Sequence, residues 1–160
     1  MILSDPFGSP EKALVELQCR VYADACQARP VKHLMVNLLD RRNLEAALDR
    51  VSGADGANTP GVDGVTCAEV RSQPGWLARV ADDLYQRRFR ASPPRIIEIA
   101  KPHRPGEVRR IGILTFRDRV VHTAVKQVFE PVLDPLFAAT SFGFRPGRSV
   151  IAESGADVGG

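Results

Sequence analysis

Ser92-Pro93-Pro94-Arg95-Ile96-Ile97-Glu98-Ile99-Ala100-Lys101-Pro102, followed within six residues by Val108-Arg109-Arg110-Ile111-Gly112-Ile113, is the stretch on which the fold turns. The two prolines end whatever helix precedes them, because proline lacks a backbone donor and crowds the turn before it. Ile96, Ile97 and Ile99 then give the β-branched density of a strand, and Pro102 to Val108, with Gly106, reads as a hairpin turn into Arg109–Ile113. Directly after the second strand, Thr115-x-x-Asp118 has the form of a capping box, with the carboxylate placed to reach back over the first turn. Behind it Val120, Val121, Ala124, Val125, Val128, Phe129, Val132 and Leu133 make an apolar stripe at helical spacing, and Pro131 is expected to kink or end that helix. The helix reads as core first and functional second.

Upstream the chain reads as helical. Glu11 to Arg29 places Leu14, Leu17, Val21 and Ala25 at helical spacing, with Pro30 closing the segment. A second helix is expected from about Val31 to Val51, and a third from Trp76 to Arg88 with Trp76, Leu77, Val80, Ala81, Leu84 and Tyr85 on one face. Between them Ser52 to Gly64 is a long loop dense in turn residues. The fold class is therefore α+β: a mostly helical N-terminal part and one small antiparallel hairpin. Repeats and low-complexity tracts are not apparent.

At 160 residues, 44% hydrophobic and 26% charged, the chain has the bulk properties of one modest globular domain or part of a larger one. Its apolar runs fall well short of the roughly 20 residues needed to cross a bilayer. The N-terminus has no basic stretch followed by an apolar core, so a signal peptide is not expected. Cys19, Cys26 and Cys67 form no CxxC pair and suit reduced thiols of a cytoplasmic protein better than a disulfide framework or a zinc site. The net charge of +3 is unevenly spread: residues 1–84 carry 9 Lys/Arg against 12 Asp/Glu, residues 85–126 carry 11 against 3, and the remainder carries 2 against 4. Nine of the eleven central cations are arginines, whose planar forks suit bidentate phosphate contacts. A focused basic segment is an electrostatic footprint of nucleic-acid binding; the competing reading is a solvated basic face. Asp82-Asp83 imitates a metal-binding aspartate pair, but it sits on the polar face of an amphipathic helix and reads as two surface charges.

Several linked segments carry a resemblance. They are Asn43-Leu44-x-x-Ala47-x-x-Arg50-Val51, Pro60-Gly61-Val62-Asp63-Gly64, Arg95–Lys101, Arg109–Thr115, Thr115-Phe116-Arg117-Asp118-Arg119-Val120-Val121, Phe129–Phe137 and Ser141-Phe142-Gly143-Phe144-Arg145-Pro146-Gly147-Arg148-Ser149. In that order and spacing they resemble the N-terminal element and fingers region of group II intron reverse transcriptases (maturases). The resemblance covers about residues 43–150, with 1–42 as a helical leader and 151–160 as an irregular tail. It departs at Arg110, Ala100 and Leu114, each of which stands where the family usually has proline.

The resemblance implies the fingers of a right-hand polymerase that copies RNA into DNA. Lys101 and Arg109 would contact the incoming nucleotide triphosphate, since phosphoryl transfer is catalysed largely by positioning and charge neutralisation. Arg95, Arg110, Phe144, Arg145 and Arg148 would lie along the RNA template. Exposed strand cations remain the alternative for Lys101 and Arg109, internal pairing the alternative for Arg145 and Arg148, and a turn-fixing role the alternative for Asp63. RNA, primer DNA and nucleotide triphosphate are the implied partners, with no membrane. Magnesium is implied for the complete enzyme, held by carboxylates that the family places beyond residue 149, so no catalytic or metal residue is assigned to this chain and it is expected to be inactive alone. The sequence leaves the family pattern near Glu153, as a truncated or frame-shifted chain would. A non-catalytic basic RNA-binding or intron-splicing module is the alternative function. Apolar surface on the Val120–Leu133 helix is expected to be left uncovered and open to self-association.

Overall fold

The computed structural model describes residues 9–104, 106–138, 140, 141, 143 and 145. Helix α1 (Pro10–Cys26) starts on Ser9, whose hydroxyl accepts from the Lys12 amide, with Pro10 in the first turn where its missing donor costs nothing. It stops three residues short of Arg29 because Ala28 takes a left-handed conformation, φ 51°. The single helix expected over 31–51 is instead two, α2 (Leu34–Leu39) and α3 (Arg41–Ser52). Asp40 is the reason: its backbone leaves helical geometry, and its carboxylate caps α3 by accepting from the Arg42 amide at 2.8 Å. Buried Asn43 then bridges the break, its amide donating to Leu38 O of α2 and to Ala124 O across the core.

Helix α4 (Cys67–Arg71) was not expected. Its signal is a full capping box, with Thr66 Oγ1 accepting from the Glu69 amide while the Glu69 carboxylate accepts from the Thr66 amide at 2.7 Å. Helix α5 (Trp76–Tyr85) ends before Arg88, as Arg87 turns left-handed, φ 56°. Strands β1 (Arg95–Ala100) and β2 (Val108–Ile113) pair antiparallel with Arg95 opposite Ile113 and Ala100 opposite Val108. Helix α6 (Phe116–Leu133) follows, continued by a 3₁₀ turn at Asp134–Leu136. The observed architecture is α+β, mostly helical, with one two-stranded antiparallel sheet among the described residues.

The core forms where α6 crosses α1 and α3. Leu38, Leu44, Ala47, Val51, Phe116, Val120 and Ala124 fill it, and Trp76 meets Phe116 edge to face at 6.0 Å. Most of the α6 stripe is thus covered within the chain. Val120, Val121, Ala124 and Val128 are buried, and exposure is confined to the C-terminal end, at Phe129 and Leu133. Nor does Pro131 end the helix. Proline deprives the carbonyl four residues earlier of its partner, and that carbonyl, Gln127 O, accepts instead from the Gln18 side chain of α1 at 3.0 Å.

The hairpin owes little to the helical body. Its main contacts are between its own strands, and Ile96, Ile99 and Val108 remain exposed. It is tied at its base. Asp118, fully buried, accepts from the Ser92 amide at 2.9 Å, and Gly112 lies so close to Pro94 that a Cβ there would sit 3.1 Å from the ring. The capping box expected at Thr115 is therefore only half formed: Thr115 Oγ1 accepts from the Asp118 amide, while the Asp118 carboxylate turns to Ser92. None of the described helices is long and apolar enough to cross a membrane. Cys19, Cys26 and Cys67 are free thiols, the last of them buried.

Candidate functional site

The register decides which hairpin residues share a face. Cross-strand partners project to the same side of a pleated pair, and alternate residues along a strand do likewise. One face accordingly carries Arg95, Ile97, Ile99 and, one step past the strand, Lys101; opposite them stand Ile113, Ile111, Arg109 and Glu107. Lys101 and Arg109 are brought together on this face. They line a concavity of about 550 Å³ with His103 and Arg104 on its basic side and Ile99 and Ile111 as apolar wall. The turn is held by Lys101 N donating to Glu107 O, Arg104 N to Lys101 O and Glu107 N to Arg104 O, with Gly106 at φ 86°.

The cations differ in their engagements. Lys101 Nζ is 2.6 Å from Glu107 Oε2, and Arg104 Nη1 is 3.5 Å from Glu107 Oε1. Arg109 has no ion-pair partner among the described residues. Arg110 points to the other face, where it pairs with Glu98 at 2.9 Å. Arg110 thus forms a cross-strand ion pair. Arg95 stands at the base of the Lys101 face, half-buried, with its Nε enclosed and without a hydrogen-bond partner among the described residues.

Arg145 is engaged within its own turn. Its guanidinium is buried and donates to Asp134 Oδ1 at 2.7 Å, to Asp134 O at 2.9 Å, to Ser141 O at 3.0 Å and to Ala138 O at 3.1 Å. This fork closes the turn after α6, the internal pairing that stood as the alternative for this residue. Asp63 likewise fixes its own turn, accepting from the Val65 amide, with Gly64 at φ 73°. Phe144 and Arg148 lie outside the described residues.

Asp82 and Asp83 bind arginine, as their surface setting suggested. Both pair with Arg88, whose positive charge they hold more firmly than usual, Asp82 foremost, and Asp83 also lies 3.8 Å from Arg117. Arg117 in turn stacks on Phe89 and donates to Arg90 O. Arg119 donates to Gly56 O and Thr59 O, clamping the glycine-rich loop over Phe116. Arg88, Arg117 and Arg119 are therefore structural members of the basic segment. Among the described residues no group of three His, Cys, Asp or Glu is placed to hold a metal. These residues offer no donor set that fits a magnesium ion. A larger concavity of about 680 Å³, between α3, α4 and α5, is apolar, and the charges on its rim already pair, Arg41 with Glu45 and Arg71 with Asp49. It offers no comparable chemistry.

Glu107, His103 and Arg104 were missed by sequence reasoning. Counting the register outward from Gly106 would have placed Glu107 opposite Lys101, but residues of a turn give no periodic signal of their own.

No protein-family model matches the chain. Over 96 residues, 59% of the chain, it is 38% identical to Protein YkfC of Escherichia coli K12. Over 73 residues, 46% of the chain, it is 33% identical to the Group II intron-encoded protein LtrA of Lactococcus lactis subsp. cremoris. These stretches amount to 25% of YkfC and 12% of LtrA, so the chain spans a quarter or less of the relatives it matches. The similarity supports a relationship to group II intron-encoded proteins.

Proposed function

We propose that this chain is the nucleotide- and RNA-binding fingers part of a group II intron-type reverse transcriptase. The observation that carries the reading is Lys101 and Arg109 on one face of a hairpin that stands clear of the helical body and lines a single basic concavity. A triphosphate laid along that face meets an ammonium and a guanidinium fork, two charge-assisted partners of the kind that position a phosphoryl group. Arg95 extends the cationic face toward the base of the hairpin, where a template backbone would run, and Arg110 offers charge on the reverse side. Polymerisation, its magnesium ions and the primer belong to the complete enzyme.

The test is direct titration of the chain with a deoxynucleoside triphosphate and, separately, with single-stranded RNA at several salt concentrations. Losing one charge-assisted bond costs about 1.5–3 kcal/mol, so Lys101→Ala or Arg109→Ala is expected to weaken triphosphate binding roughly tenfold to a hundredfold. RNA affinity is expected to fall steeply with salt, and Arg87→Glu with Arg95→Glu to reduce it further. Unchanged triphosphate binding in both alanine variants refutes the pocket; if RNA still binds, the splicing or RNA-binding module replaces the polymerase reading.

A further inference from the structure

Glu107 stands beside the concavity and pairs with two of the cations that line it. Its two carboxylate oxygens face two different cations, Oε2 toward Lys101 Nζ at 2.6 Å and Oε1 toward Arg104 Nη1 at 3.5 Å. The backbone enforces this position, because the 3.0 Å bond from Lys101 N to Glu107 O fixes the two residues opposite one another at the last rung of the hairpin. Two residues along β2, and so on the same face, Arg109 remains without an ion-pair partner among the described residues. Of these three cations Lys101 and Arg104 are thus engaged, and Arg109 is open.

We infer that Glu107 is an internal counter-anion of the hairpin, a carboxylate that competes with the ligand's phosphates for the Lys101 ammonium and must be displaced before a polyphosphate can engage Lys101 and Arg109 together. The inference rests on the nucleotide-pocket reading above and adds a residue which that reading does not assign. The energetics allow the exchange. Lys101 and Glu107 side chains are 41% and 47% exposed, and ion pairs in that setting are weak because water screens them and both side chains lose freedom. A polyphosphate bearing several charges outcompetes one carboxylate, while the empty site keeps its ammonium oriented along the strand face. The same pairing lowers the net positive charge of the exposed tip, where Lys101, Arg104 and Arg109 converge, when no ligand is bound.

The experiment is a double-mutant cycle read by titration with inorganic triphosphate, comparing the native chain, Glu107→Gln, Lys101→Ala and the double variant, each checked by circular dichroism. An exposed pair of this kind is worth about a two- to fivefold effect, so Glu107→Gln is expected to tighten binding by about that factor in the native background. In the Lys101→Ala background the gain is expected to shrink, since only the longer contact to Arg104 at 3.5 Å is left to release. Glu98→Gln, the same charge change on the reverse face against Arg110, is expected to give a gain that does not depend on Lys101. Equal gains from Glu107→Gln in both backgrounds would reduce Glu107 to bulk charge and overturn the inference, as would no gain at all. If Lys101→Ala leaves triphosphate binding untouched, the nucleotide pocket itself fails and the inference with it; if Lys101→Ala weakens binding and Glu107→Gln changes nothing, the inference alone fails.

Discussion

Gly61 is where a single methyl group should do most damage. A Cβ at that position would lie 2.6 Å from Thr115 Cα, 2.7 Å from Thr115 N and 2.9 Å from Leu114 C. All three atoms are backbone, so no rotamer change relieves the clash. Restoring an ordinary 3.4 Å contact means separating the two segments by about 0.8 Å along the shortest line. The Arg119 bonds to Gly56 O and Thr59 O, now 2.7 and 2.8 Å, would stretch to about 3.5 Å if the loop moved as a piece, near the limit of a useful hydrogen bond. Forcing extra volume into a packed contact costs about 1–3 kcal/mol, and weakening two exposed charge-assisted bonds adds about 1 kcal/mol. Gly61→Ala is therefore expected to lose about 2–4 kcal/mol, a large share of the 5–15 kcal/mol that holds a typical domain together. Urea unfolding followed by circular dichroism should show the midpoint fall with the slope unchanged. Gly56→Ala is the control, since a Cβ there meets nothing within 4 Å. A Gly61→Ala chain as stable as the Gly56→Ala chain would refute the close-approach argument.

Three further outcomes are expected. Gln18→Ala strips the partner from Gln127 O, the carbonyl orphaned by Pro131, and should cost about 1–3 kcal/mol in the same assay, whereas in a Pro131→Ala background the helix supplies its own donor and the cost should shrink. Arg145→Ala should destabilise the turn after α6 yet leave salt-dependent RNA binding unchanged in filter assays, because that guanidinium is engaged by Asp134, Ala138 and Ser141. Acid should erode stability through two caps. The Arg42 side chain holds the Asp40 carboxyl below its ordinary value of 3.8, and the Thr66 amide holds Glu69 below 4.5. Both groups bind fewer protons folded than unfolded, so their contribution is complete above those ordinary values and is lost as pH falls through the lower folded ones. Urea midpoints measured from pH 7 to pH 2 should fall over that acid range, and less so in Asp40→Asn or Glu69→Gln.

The elements that were legible in advance are those with a local, repeating cause. The isoleucines of β1, the turn at Gly106 and the stripe on α6 each announce a period, and the hairpin and helix follow from it. Thr66-x-x-Glu69 was equally readable and was overlooked because only five helical residues follow it. Asp40 shows the opposite limit: apolar spacing ran straight through it, and a single cap overrode the pattern. The remaining features depend on partners far along the chain. Asp118 reaching Ser92, Gln18 supporting the carbonyl behind Pro131 and Gly61 pressed on Thr115 are contacts whose second residue no local pattern names. At the site, Lys101 and Arg109 were named by the resemblance and the register puts them on one face, but the carboxylate between Lys101 and Arg104 required the register of the turn.

The anchoring of the hairpin at one end makes it a lever. Six residues at about 3.3 Å each give an arm of about 20 Å, so a rotation of about 10° at the base sweeps the tip through roughly 3.5 Å. That sweep is as long as the distance at which reacting atoms must be held, and a misplacement of about 1 Å can cost a hundredfold in rate. Angular stiffness at Ser92, Pro94 and Gly112 therefore sets positional accuracy at Lys101 and Arg109. Substitutions beneath the hairpin should shift the Lys101–Arg109 face without touching either residue.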